Sequence, residues 1–244
     1  MLPNQEMRVP RIEWGEWYEW FPWYQGQHVV LTAQTGGGKS VLVRHLINKR
    51  DFAVILASKK ADDTYDKYVE TGIKRIYKWP PPETIFHPLT NWPLPEHYLL
   101  WPKIKKVSDL DPKKLGAIFR KCLEKLFIDG GWTVVLADLY YLAMKLKLAD
   151  IIAEIQFQIR ALGVSEVNEL QRPAWVPRAT WGQSSHAFLQ ALSDQDDLME
   201  MRGLFRMTTR ELIEVTRSLA KYEWLYRNVA DPFSKAMIIK PPNL

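Results

Sequence analysis

The chain has 244 residues, 47% of them hydrophobic and 25% charged, with a net charge of +5. That length suits one generous domain with an appendage, and the composition excludes a disordered or collagen-like chain. The single cysteine, Cys122, excludes an internal disulfide framework and fits a reducing compartment. No apolar run approaches the roughly 20 residues that a membrane-crossing helix needs. Residues 1–10 are polar and contain proline, without an apolar signal core, so the cytoplasm is the expected location. The modest positive charge permits a polyanionic partner without requiring one.

Residues 1–26 are expected to form an extension packed on the main domain. It is dense in aromatics (Trp14, Trp17, Tyr18, Trp20, Phe21, Trp23 and Tyr24), with Glu13, Glu16 and Glu19 between them. A short β-rich segment covering one sheet edge is the expectation. The eleven tryptophans of the chain are read mainly as packing residues.

Residues 28–33, with Val29, Val30 and Leu31, read as a buried strand that runs into a glycine loop. Behind the loop Val41, Leu42, His45 and Leu46 recur at helical spacing, and residues 52–57 are a second buried strand. Strand, loop, helix and strand in that order predict a mostly parallel α/β sheet flanked by helices. Residues 79–102 carry Trp79-Pro80-Pro81-Pro82, Pro88, Trp92-Pro93, Pro95 and Trp101-Pro102, and are expected as a long structured loop across one face.

Asp111-Pro112 starts a helix whose stripe is Leu115, Ile118, Phe119, Cys122, Leu123, Leu126 and Phe127, and Gly130-Gly131 end it. Its lysines and Arg120 read as a solvated face. Residues 132–137 are a third buried strand ending at Asp138, followed by a helix over 148–162. Residues 164–170 read as a strand made unusually polar by Glu166, Asn168 and Glu169. Residues 185–191 are expected as the last strand, 208–220 as the last helix, and 229–244 as a tail after a domain spanning 27–228. Arg202, Arg206 and Arg210, four residues apart, are read as one solvated helix face. The scattered histidines show no zinc-ligand spacing, and no structural metal is assigned.

The chemistry concentrates in Ala33-Gln34-Thr35-Gly36-Gly37-Gly38-Lys39-Ser40. Successive glycines let backbone N–H groups converge on phosphate oxygens, and the following helix aims its positive end at the same charge. This is a P-loop, although its first position is Ala33 where the pattern normally has glycine. Gln34, Thr35, Gly36, Gly37, Gly38, Lys39, Ser40 and Val41 are therefore expected to hold ATP. Lys39 would reach the β- and γ-phosphates, and the Ser40 hydroxyl would ligate Mg²⁺. Asp138, closing Val134-Val135-Leu136-Ala137, is expected as the second metal-holding group.

Further blocks carry a family resemblance. Gln27-His28-Val29-Val30 before the glycine loop, Gly131-Trp132-Thr133-Val134-Val135, Gln158-Ile159-Arg160-Ala161-Leu162-Gly163-Val164-Ser165 and Gln171-Arg172-Pro173-Ala174-Trp175-Val176-Pro177 belong to it. So do Ser184-Ser185-His186-Ala187-Phe188 and the segment from Asp194 to Leu198. Together, over roughly residues 12–228, they resemble the HerA/FtsK superfamily of P-loop ATPases, in particular compact ATPases of phages and viruses that package DNA.

The resemblance implies a RecA-like, ATP-driven translocase of double-stranded DNA, assembled as a homo-oligomeric ring, with a hexamer expected and a portal, capsid vertex or membrane as anchor. It makes Gln171 the polar sensor of the γ-phosphate or attacking water, and Arg160 or Arg172 an arginine finger across a subunit boundary. It also exposes a departure. Motors of this family carry a glutamate directly after the Asp138 position, and here that residue is Leu139. Two readings stay open at this point. Another carboxylate serves, with Glu169 best placed and Glu166 the weaker choice, or the chain binds ATP as an assembly or regulatory protein with little or no hydrolysis. A small-molecule kinase is a third reading, disfavoured by the Gln-Arg-Pro segment.

Overall fold

The computed structural model describes residues 9–81, 94–104 and 111–242, leaving aside the side chains of 159–162. Its strands are β1 (Val29–Thr32), β2 (Phe52–Leu56), β3 (Lys74–Ile76), β4 (Glu96–Leu100), β5 (Thr133–Leu136), β6 (Ser165–Leu170), β7 (His186–Leu189), β8 (Trp224–Asn228) and β9 (Met237–Ile239). The helices are α1 (Trp14–Trp20), α2 (Lys39–Ile47), α3 (Asp63–Glu70), α4 (Pro112–Asp129), α5 (Ala149–Leu162), α6 (Gln195–Phe205) and α7 (Thr209–Arg217).

The strands form one sheet in the order β3-β4-β2-β5-β6-β1-β7-β8-β9. Pairings from β3 through β7 are parallel, and β8 and β9 add antiparallel partners at one edge. Every residue of β1, β5, β6 and β7 is buried, as a parallel sheet covered on both faces requires. Period-two alternation divides the core into two layers. Val29 and Leu31 pack with α1, α2 and α3, while Val30 packs in the layer formed by α4, α5, α6 and α7. Among the described residues no helix is long and apolar enough to cross a membrane.

The α/β P-loop architecture matches the expectation from sequence, and four local readings are corrected. Among the described residues the aromatic extension forms the helix α1, with an isolated bridge Arg11–Ile238, in place of a β-rich segment. Trp14, Trp17, Tyr18 and Phe21 fall at i, i+3, i+4 and i+7, which wraps one aromatic stripe onto α2 and the β7–β8 surface. Trp17 stacks on Phe21 with ring centroids 4.5 Å apart and meets Tyr226 edge-on, and Tyr18 Oη donates to the His45 carbonyl at 2.7 Å.

The second correction concerns the proline-rich stretch. Residues 96–100 within it form β4, an interior strand between β3 and β2. Pro95 and Pro102 lie outside the five paired residues, so neither interrupts the ladder. Residues 82–93 of the expected loop lie outside the described residues. Third, β7 is not the last strand, because β8 and β9 follow it. Fourth, the arginine series is broken: Arg206 has a left-handed φ of 53° and terminates α6, so Arg202 and Arg210 sit on different helices.

Candidate nucleotide-binding site

The glycine loop joins the carboxyl end of β1 to α2, and each of its glycines has a physical reason. Gly36 and Gly38 have φ of 81° and 83°, which L side chains rarely adopt. At Gly37 the constraint is space: an added Cβ would lie 2.3 Å from Gln190 Oε1 and 2.9 Å from the Ala33 Cβ. Gly38 caps α2 without a side-chain hydrogen bond, so the first-turn amides of the helix point at the loop for an anion to accept. Ser40 and Val41 lie in that first turn, and the Ser40 carbonyl accepts from Tyr68 Oη at 2.8 Å.

Lys39 is buried and folded back over its own loop. Its Nζ donates to the carbonyls of Ala33 at 2.7 Å and Gln34 at 3.1 Å. Burial lowers its pKa, and the carboxylates of Glu169 and then Asp138 oppose that shift, while Lys59 adds to it. An ammonium held on two carbonyls in a confined site can transfer to phosphate oxygens at small rearrangement cost.

Glu169 owes its place to strand order. β6 runs between β1 and β5, pairing Glu169 with Leu31 on one side and Asn168 with Leu136 on the other. Glu169 therefore stands one position beyond the last paired residue of β5, level with Ala137 and beside Asp138. Burial pushes its carboxyl up to about 7, against the lowering effect of Lys39 and Lys59. Asp138 itself has a left-handed φ of 60°, and its Oδ1 accepts from the Tyr141 amide at 3.3 Å.

Leu139 points the other way. It is fully buried in the layer of α4 and α5, away from Lys39. Glu166 also faces that layer. It accepts from Gln156 Nε2 and from Asn168 Nδ2 at 3.3 Å, lies 3.8 Å from His28 Nδ1, and is pushed up to about 8 by burial. Of the two carboxylates weighed from sequence, only Glu169 meets the glycine loop.

Gln171, just past β6, accepts from Thr35 Oγ1 at 3.3 Å, so it touches the loop directly. Arg172 is engaged within its own chain. Its Nη2 lies 2.5 Å from Asp194 and its Nε 2.6 Å from Asp197, and the guanidinium sits 4.3 Å from the Trp175 ring centroid. Arg160 belongs to α5, with its side chain outside the described residues. Sequence reading missed Lys59, which follows β2 and is paired with Asp62 at 2.7 Å. It also missed Gln190, Ser193 and Tyr222, which close the loop from the β7 side. A lysine just past a buried strand was the available signal for the first; the others have no local pattern.

No protein-family model and no curated protein matches this chain. Solved structures do. VirB4 of Thermoanaerobacter pseudethanolicus superposes with a TM-score of 0.61 at 11% identity, over 89% of this chain and 89% of that one. B204, the DNA-packaging ATPase from Sulfolobus turreted icosahedral virus, gives a TM-score of 0.57 at 14% identity, over 91% of this chain and all of that one (100%). The cytoplasmic domain of the type VII secretion ATPase EccC from Thermomonospora curvata gives 0.54 at 16% identity, over 91% of this chain and 26% of that one. At such identities the likeness is one of fold: the chain shares the mostly parallel α/β fold of these ATPases.

Proposed function

We propose that this chain hydrolyses ATP to move double-stranded DNA, working as a homo-oligomeric ring. The observation that carries the hydrolytic part is Glu169, a buried carboxylate next to Lys39 and Asp138 under the glycine loop. It supplies the proton acceptor that Leu139 cannot, which favours a hydrolysing enzyme over a nucleotide-binding assembly protein.

The loop amides and Lys39 bind the β- and γ-phosphates, Lys39 leaving the carbonyls of Ala33 and Gln34 to do so. Ser40 and Asp138 offer a hydroxyl and a carboxylate, the hard oxygen donors that Mg²⁺ takes alongside phosphate and water, so the residues fit that ion. When bound it neutralises phosphate charge. Gln171, already against Thr35, orients a water in line with the γ-phosphorus. Glu169 takes its proton as the new P–O bond forms and the bond to the β-phosphate oxygen breaks, with ADP leaving with that electron pair. Arg172 is neutralised by Asp194 and Asp197, so it positions the 171–175 segment, and Arg160 is the favoured arginine finger toward a neighbouring subunit.

The DNA reading is supported by fold likeness to B204, named as a DNA-packaging ATPase, and the net charge of +5 permits it. Contacts of this kind go to the phosphate backbone and weaken steeply with salt. The test is steady-state phosphate release from ATP with Mg²⁺, with and without long duplex DNA, at two salt concentrations, beside a Lys39→Ala chain. DNA-stimulated release that falls with salt and disappears in Lys39→Ala supports the motor. ATP binding without release above that control would return the chain to the assembly or regulatory class.

A further inference from the structure

The two flanks of the glycine loop are built for different ends of a ligand. On the β6 side stand Glu169 and Gln171, with Asp138 beyond them, so the reacting phosphate belongs there. On the β7 side stand groups the hydrolytic reading does not use. Gln190, just past β7, sets its Oε1 against Gly37, while its Nε2 is buried without a hydrogen-bond partner among the described residues. Gln34 Nε2 donates to Ser193 Oγ at 2.9 Å, tying the loop to this flank. Tyr222, from the turn before β8, lays its ring along Gly38: a Cβ there would lie 3.1 Å from Tyr222 Cδ1.

Tyr222 is also conformationally unusual. Its φ is 68°, a left-handed value that is an outlier for a bulky residue. The turn is fastened in that shape. Glu223 accepts from the Ala220 amide at 2.8 Å and from Arg11 Nε at 3.2 Å, and Arg11 Nη2 donates to the Ser218 carbonyl at 3.0 Å. Among the described residues four non-glycines have positive φ; two of them border the glycine loop, Tyr222 and Asp138. Backbone held in such regions clusters where a side chain must be aimed.

We infer that Tyr222 is the stacking surface for the base of the bound nucleoside triphosphate, with the Gln190 amide as polar neighbour on the sugar and base side. This rests on the P-loop reading above and extends it from the phosphates to the whole nucleotide. A triphosphate whose γ end lies beside β6 carries its sugar and base across the loop toward β7 and β8, where the partly exposed tyrosine ring offers an aromatic face. Stacking on such a face is tolerant of base identity.

The test separates the base from the phosphates. The full chain, Tyr222→Ala, Tyr222→Leu and Tyr222→Phe are titrated with ATP and with inorganic tripolyphosphate, each variant first checked by its thermal melt. Tyr222→Ala is expected to weaken ATP about tenfold or more, which is about 1.4 kcal/mol, while tripolyphosphate changes by less than about twofold. Tyr222→Phe keeps ATP affinity, and Tyr222→Leu, which keeps bulk without a π-face, loses it even if the alanine chain does not fold. Equal losses for both ligands would make Tyr222 a prop for the loop and overturn the inference, as would unchanged ATP binding in Tyr222→Leu. Should the unaltered chain bind tripolyphosphate no better than Lys39→Ala does, the P-loop reading itself fails, and this inference with it.

Discussion

Glu169→Gln removes a proton acceptor while keeping the shape and the hydrogen-bonding surface of the side chain. A positioned general base contributes roughly 10²- to 10⁴-fold to a rate, which is about 2.7–5.5 kcal/mol of barrier at 1.36 kcal/mol per tenfold. In the proposed role the working form is the carboxylate, and burial pushes this carboxyl up to about 7. The pH dependence follows. kcat/KM for ATP should climb about tenfold per pH unit below 7 and level off above it. Lys59 favours the ionised form, so Lys59→Met should move the rising limb to higher pH without abolishing turnover. The assay is phosphate release from Mg²⁺-ATP across pH 5.5–9 for the unaltered chain and both variants. Residual activity of Glu169→Gln within about threefold of the parent, or the same acid limb surviving in that variant, would refute the assignment.

Three further outcomes follow from the same geometry. Gly38→Ala forces a side chain into a φ of 83° beside Tyr222, costing about 1–2 kcal/mol of stability; a lowered melting temperature with lost tripolyphosphate binding is expected, and an unchanged chain would contradict the loop conformation. Leu139→Glu restores the residue usual in the resembling family, yet places a carboxylate in a fully buried apolar position. A loss of several kcal/mol is expected, seen as a collapsed melting temperature, and a rise in ATPase activity would show that position 139 reaches the site after all. Glu166 has a folded pKa of about 8, above its ordinary value of 4.5. Its protonated form therefore contributes stability that is fully present below about pH 4.5 and lost as pH rises through 8. Glu166→Gln has no such proton to lose, so its melting temperature should fall less between pH 6 and 9, and parallel curves would sink that reading.

Much of the site was legible because its signals are local. A buried strand, three glycines, Lys39 and Ser40 lie within a dozen residues, and Asp111-Pro112 marks a helix start that the structure keeps, Asp111 accepting from the Lys113 amide at 3.0 Å. The polarity of 166–169 was visible, but its meaning needed the sheet. Alternate residues of β6 face opposite layers, so Glu169 lies by Lys39 while Glu166, on the other face, accepts from Gln156 and Asn168. Leu139 and Glu169, the carboxylate proposed to serve in its stead, are 30 positions apart in sequence, and only the parallel ladder brings their strand ends side by side. Local rules misled elsewhere for reasons that can be named. Prolines flanking β4 argued against a strand that fits between them, and aromatic composition suggested β where the spacing of Trp14, Trp17, Tyr18 and Phe21 was helical. Tyr222 had no signal at all, because its place beside Gly38 depends on the antiparallel return of β8 beside β7.

The most direct test of the motor is displacement of a triplex-forming oligonucleotide from a linear duplex. With ATP and Mg²⁺ the chain should strip the third strand from duplex DNA, and Lys39→Ala, Glu169→Gln or a non-hydrolysable analogue should leave it in place. Steady ATP hydrolysis with the triplex intact would contradict duplex translocation and leave an ATPase whose work is done on something else.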